Sequence, residues 1–311
     1  MQVTVDASAS YGFRGPAGVT VAGGRLWVTN SIGNSVTEFG WRAGGRPVVR
    51  LGDGYGFSGP RAITAGRHHL WVADLVTSSV TELDAATGAV ARRLSGWPLA
   101  APSALVLYGA RLWVANEGSD SVAEFNADTG ARLAIVRHEG LDAPDALAVS
   151  DGSLWVANAG NGTVTRLNAA TGTLVGTLRV GRSGVGDVLC ETASKTRLWV
   201  GDEAADSITE YSTITGRLLR VISAPGFRLA APSAMTLAGG DLWVANALGD
   251  SVTRVDAATG RLAGVLAGRR FGFAVPTGIA AYRGMLWVTN LAGDTVTQIR
   301  PSCYRTSTRC R

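Results

Sequence analysis

Short apolar runs recur along the chain at near-constant distance. Each is followed by a polar loop, an alternating polar–apolar run and a Gly-containing turn. The clearest mark is Leu-Trp-Val, with its tryptophan at Trp27, Trp71, Trp113, Trp155, Trp199, Trp243 and Trp287, spaced 44, 42, 42, 44, 44 and 44 residues apart. A period in the low forties, rich in strand formers, fits four strands and four turns. In residues 102–136, Ser103–Leu107 reads as a first strand and Gly109-Ala110 as a hairpin turn. Arg111–Ala115 is nearly all apolar, as a strand buried on both faces should be. Ser121–Phe125 alternates, and Arg132–Val136 closes the unit as its outer strand. Between these two, Asn126-Ala-Asp-Thr-Gly130 is a turn in which Asn caps the backbone and Gly takes positive φ; it recurs at Asp84–Gly88, Asn168–Gly172 and Asp256–Gly260.

These units predict an all-β, seven-bladed β-propeller with four-stranded blades over residues 1–300, followed by a short basic, Cys-containing tail at 301–311. A proline eleven residues before the Trp opens strand A in six units, where no ladder donor is yet needed: Pro16, Pro60, Pro102, Pro144, Pro232 and Pro276. After Trp287 the pattern yields strands B and C only. Val3-Thr4-Val5 precedes Pro16 at nearly the distance at which Val49-Arg50-Leu51 precedes Pro60, so the N-terminal strand should complete the last blade and close the ring.

Composition agrees with a packed chain rather than a disordered one: 46% hydrophobic, 17% charged, with 41 Gly and 10 Pro. No apolar run reaches the length of a membrane span, and the first residues lack the pattern of a signal peptide. The net charge of +5 owes much to Arg300, Arg305, Arg309 and Arg311, so no nucleic-acid partner is expected. Cys303 and Cys310 flank a six-residue loop. They are either a small disulfide, which would place the protein outside the cytoplasm or in the periplasm, or two free thiols. His68, His69 and His138 do not combine with the cysteines at any zinc-site spacing.

The units LWVTNSIGNSVTEF and LWVANALGDSVTRVDAATGRLAGVL resemble the repeats of YVTN-type and NHL-type propellers, and the Leu-Trp pair at this spacing resembles virginiamycin B lyase-like proteins. The resemblance covers residues 1–300 and implies the propeller fold. For the lyase it also implies a Mg²⁺ ion with His and Glu on central loops. In this chain the position after Leu-Trp-Val-x is Asn or Asp, and no Glu-x-His pair occurs.

Candidate chemistry falls into two sets. One is a ring that includes Asn116, Asn158 and Asp202, repeated in every unit and suited either to capping each B–C loop or to holding a polar ligand or a hard cation. The other is where the repeat breaks. The residue after each strand-A proline is charged only at Arg61 and Asp145, and the fifth unit, which lacks the proline, adds Asp187, Glu191 and Glu203. Asp145, Asp187 and Asp202 are thus candidate ligands for Mg²⁺ or Ca²⁺, and Arg61 completes the candidate channel-mouth site. The expected function is a non-catalytic, monomeric recognition propeller that binds a small polar ligand or a protein on its loop face. The alternative is a metal-assisted lyase or lactonase-like hydrolase.

Overall fold

The computed structural model describes residues 2–6, 11–40, 47–66, 68–180 and 188–301. They form seven four-stranded antiparallel sheets arranged as a β-propeller. In the third blade the strands are Pro102–Tyr108, Arg111–Asn116, Ser121–Asn126 and Arg132–Arg137, called A to D from the central channel outward. The last blade joins Pro276–Tyr282, Met285–Asn290 and Thr295–Arg300 to the N-terminal strand Gln2–Asp6. That strand runs antiparallel to Thr295–Arg300, with Gln2 opposite Arg300 and Val5 opposite Thr297, so the ring closes through backbone hydrogen bonds. Among the described residues no helix is long and apolar enough to cross a membrane.

The repeated Trp explains how the blades stack. Each packs its ring on strands B and C of the following blade: Trp27 on Leu70, Val72 and Leu83, and Trp287, across the closure, on Leu26, Val28 and Phe39. All seven are at most 2% exposed. Burying rings of this size in every interface supplies the main drive for closure.

Two polar devices reinforce the interfaces. The residue before strand C takes a left-handed conformation, and its side chain reaches across to a backbone N–H at the start of the next blade. Asp120 accepts from Ala143 N–H, Asp206 from Ala231, Asp250 from Val275 and Asp294 from Gly15, at 2.7–2.8 Å. Asx side chains tolerate this backbone region best after Gly. In the fourth blade the position is Gly162, which has no side chain to offer.

The second device is a buried carboxylate opposite the Trp. Glu38 pairs with Arg25, Glu124 with Arg111, and Glu210 with both Arg197 and Arg220. In the second blade Glu82 lies between His69 and Arg92, and burial raises its carboxyl above the ordinary value. The sixth blade reverses the polarity, with Arg254 on strand C and Asp241 at the start of strand B. The seventh has Met285 and Gln298 instead. In five blades the two positions thus carry a matched pair, while in the fourth Arg166 donates to the hydroxyl of Ser153 at 2.9 Å.

Candidate functional site at the channel mouth

Strand A starts, and strand B ends, on one face of the ring, so the B–C loops and blade connections gather there around the channel. A cavity of about 560 Å³ opens on this face. The residues following the strand-A prolines, Ala17, Arg61, Ser103, Asp145, Ser233 and Thr277, all line it. Prolines open these strands at equivalent positions, so the residue after each is delivered to the same height in the channel.

Arg61 and Asp145 come from the second and fourth blades and meet across the mouth. The Arg61 guanidinium lies 2.9 Å from Asp145 Oδ1 and donates to Oδ2 at 3.1 Å. It also reaches Glu117 of the third blade at 3.4 Å. The Asp145 side chain is only 5% exposed, while Arg61 is 39% exposed. Burial pushes the Asp145 carboxyl up to about 6; Arg61 opposes that rise, and Glu117 and Glu203 add to it. The Arg61–Asp145 ion pair thus has two further carboxylates, Glu117 and Glu203, within electrostatic reach.

The Asx ring has a different role. Asn116 and Asn158 are fully buried, and Asp202 is 1% exposed. Asn158 donates to Thr163 Oγ1 and Thr165 Oγ1 at 3.1 and 3.0 Å. Asn116 accepts from Ala100 N–H, and Asp202 accepts from Ala205 N–H at 2.9 Å. These side chains tie the B–C loops to strand C and to the preceding blade connection. Asp74 holds the same position in the second blade, where burial pushes its carboxyl up to about 6. Asp187, Cys303 and Cys310 lie outside the described residues.

Among the described residues no group of three His, Cys, Asp or Glu stands where it could hold one metal ion. Of the candidate metal ligands, Asp145 faces a guanidinium and Asp202 accepts from Ala205 N–H in its own loop. Glu191 is also removed from the mouth. It sits in strand A opposite Val200, where the other six blades have Val19, Ile63, Leu105, Leu147, Met235 and Ile279, and burial lifts its carboxyl well above the usual range.

Of the aromatics in the blade connections, Tyr11, Phe13, Phe57, Phe271 and Phe273 are core. Tyr11 stacks on Phe13 and Phe271 on Phe273, all at most 9% exposed. Trp97 is exposed, with Arg132 over its ring at 4.8 Å. No described residue lining the mouth is a histidine. His69 begins strand B on the opposite face beside Glu82, and His138 lies between the third and fourth blades, accepting from Gly140 N–H. Sequence reasoning missed Glu117. It is the first residue after a ring Asn, a position that is also charged in Glu203, and the same search for departures from the repeat would have found it.

No protein-family model matches the chain, and no curated protein matches it. Solved structures do. Its structural neighbours are virginiamycin B lyase propellers. A catalytically inactive His-to-Ala variant of virginiamycin B lyase from Staphylococcus aureus, solved with quinupristin, superposes with a TM-score of 0.83 at 15% identity, over 96% of this chain and 98% of that one. A streptogramin B lyase structure gives 0.81 at 16% identity, covering 96% of each chain. Kuenenia stuttgartiensis hydrazine synthase gives 0.79 at 17% identity, covering 93% of this chain and 96% of that one. Likeness at this identity is likeness of fold, and the same propeller serves more than one chemistry.

Proposed function

We propose that the protein is a non-catalytic recognition propeller that binds a small polar ligand, or a polar segment of a protein, at the channel mouth around Arg61 and Asp145. The observation that carries this reading is the convergence of the two charged departures from the repeat into one ion pair in the cavity wall. Side chains repeated in every blade serve folding; side chains that differ between blades are free to serve a ligand. The half-exposed guanidinium offers directional donors to a guest while the buried carboxylate fixes its position. Arg61→Ala should therefore abolish ligand binding while leaving the ring folded.

A second reading, a lyase, draws support from the structural neighbours. Incubating the protein with quinupristin and Mg²⁺, followed by chromatography of the mixture, decides between them. Quinupristin recovered unchanged after many equivalents and long incubation supports the binding protein. Conversion that is lost in Asp145→Asn supports the enzyme.

A further inference from the structure

We propose that the protein carries a second ligand site, on the face opposite the channel mouth, and that its guest is a neutral sugar ring. The site is the cleft between the second and third blades, and it does not depend on what the mouth binds.

A cavity of about 450 Å³ lies in this cleft, within the range of small-molecule pockets. Its second-blade wall carries His68 and His69, and its third-blade wall carries Leu107, Ala110 and Asp128. Gly66 helps to keep the cleft open. It stands six residues after the strand-A proline, where the third and seventh blades have Tyr108 and Tyr282. The hydroxyls of those tyrosines reach the A–B turn of the next blade, beside Gly152 and Gly24.

Three lining side chains break the repeat. His68 replaces the Gly, Ala or Thr of the other A–B turns. His69 takes a strand-B position that is Arg in three blades, and Asp128 replaces the Ala of the other Asx-Ala-x-Thr-Gly turns. A need common to all blades does not explain their presence together in one cavity.

The surrounding structure sets their hydrogen-bonding groups. His69 Nδ1 is buried 3.0 Å from Glu82 Oε1, while the side chain is 44% exposed, so the open edge of the ring carries Nε2. With the Nδ1 proton turned to the carboxylate, the neutral imidazole presents Nε2 as an acceptor. Asp128 is fixed through its backbone: its N–H donates to Asn126 and its carbonyl accepts from Arg92, both at 2.9 Å. Among the described residues its carboxylate has no ion-pair partner, and it is left to the cavity as a second acceptor. His68 is exposed on its turn and offers a donor. Leu107, Ala110 and Ala127 add apolar surface beside these groups.

These features select the guest. The two acceptors stand on opposite walls, so the guest needs donors at separate points. An ammonium concentrates its protons at one atom. An anion would meet Asp128 and find Arg92 already held by Glu82 and the Asp128 carbonyl. A sugar ring carries hydroxyls around its rim that donate to both walls and accept from His68, and its C–H flank covers the apolar surface.

Saturation-transfer NMR of the full chain at pH 7.5, followed by titration, tests this. The probes are glucose, galactose, mannose and N-acetylglucosamine, with cyclohexylamine and cyclohexanecarboxylate as charged rings that lack the hydroxyl rim. At least one sugar should bind, with a Kd of about 1–10 mM, and about tenfold more tightly than either charged ring. Asp128→Ala should weaken that sugar about tenfold. Gly66→Tyr, which gives the second blade the side chain of the third and seventh, should abolish its binding. Asp128 is exposed, and Gly66 lacks the positive φ that favours glycine, so both variants should fold, and thermal melting checks it. If Gly66→Tyr does not fold, Asp128→Ala and His68→Ala carry the test. Sugar binding unchanged in the folded variants overturns the site. A charged ring bound as tightly as the sugar overturns the guest, and no sugar bound at all overturns both.

Discussion

Replacing Asp74 with Asn should stabilise the fold, although Asp74 is fully buried and hydrogen-bonded. In the first, fourth, sixth and seventh blades the ring position is Asn, whose amide donates to two strand-C hydroxyls. Asn246, for example, donates to Ser251 and Thr253 at 3.2 and 3.0 Å. The Thr then donates onward to a carbonyl of the preceding connection, as Thr253 does to Phe227 at 2.7 Å. In the second blade the direction is reversed. Thr81 donates back to Asp74 at 3.3 Å, and the equivalent carbonyl, that of Tyr55, accepts from Arg93.

Burial raises the Asp74 carboxyl from 3.8 to about 6, against the opposing pull of Ser58 N–H and Arg93. That displacement corresponds to about 3 kcal/mol in favour of the neutral form. Turning Thr81 round and losing the attraction of Arg93 should give back about 1–2 kcal/mol. The net gain at pH 7.5 is then about 1–2 kcal/mol, or roughly 2–3 °C in Tm for a chain of this size. The pH dependence carries the test. A carboxyl raised in the folded state keeps its proton there between pH 3.8 and about 6, so its contribution is present at low pH and lost as pH rises through that window. Asn does not titrate. The advantage of Asp74→Asn should therefore be smallest at pH 4 and complete by pH 7, measured by urea unfolding of both proteins across the range. A difference that does not change with pH, or a variant less stable at pH 7.5, would refute the reasoning.

Asp145→Asn should likewise stabilise the unliganded protein at pH 7.5, by about 1 kcal/mol, with the gain fading below pH 6, because its carboxyl too is lifted to about 6 by burial; thermal melts at pH 4.5 and 7.5 read this directly. Deleting residues 1–6 removes the ladder on Thr295–Arg300 and opens an edge in the last blade, so chemical unfolding should show a loss of about 3 kcal/mol or more. Glu38→Ala removes a buried carboxylate but leaves Arg25, 41% exposed, able to reach water, so it should cost only about 1 kcal/mol, and Glu38→Gln combined with Arg25→Met, which reproduces the Gln298–Met285 arrangement of the last blade, should recover most of that loss in urea unfolding. Asn246→Ala orphans Ser251 and Thr253 and should lower stability in urea unfolding by about 2 kcal/mol.

Much of this molecule was legible before any coordinates. The Trp spacing, the strand-A prolines and the Val3–Val5 strand lead to seven blades and their closure, because a repeat that must bury the same ring in every interface rewrites the same residues each time. Departures from that repeat also pointed to Arg61 and Asp145, since each sits where the other proline-opened blades have small or hydroxyl side chains. Less accessible was the partner relation. Arg61 and Asp145 are 84 positions apart, and nothing local links a guanidinium in the second blade to a carboxyl in the fourth. Similarly, Asn116, Asn158 and Asp202 carry chemistry that suits a ligand, yet their side chains turn into their own loops, a choice set by φ, ψ and the hydroxyls of strand C.

Sequence by itself determined the architecture: period, strand identity, turn chemistry and closure are all encoded within a single unit or between the two ends of the chain. Tertiary structure decided the chemistry. Only the closed ring brings side chains from the second, third, fourth and fifth blades to one mouth, buries Asp145 enough to shift its titration, and commits the hydroxyl protons of Ser103, Ser233 and Thr277 to neighbouring blades. The physical reason is range. Secondary structure answers to neighbours a few residues away, whereas charge, desolvation and hydrogen-bond direction answer to whatever the fold places within a few ångströms.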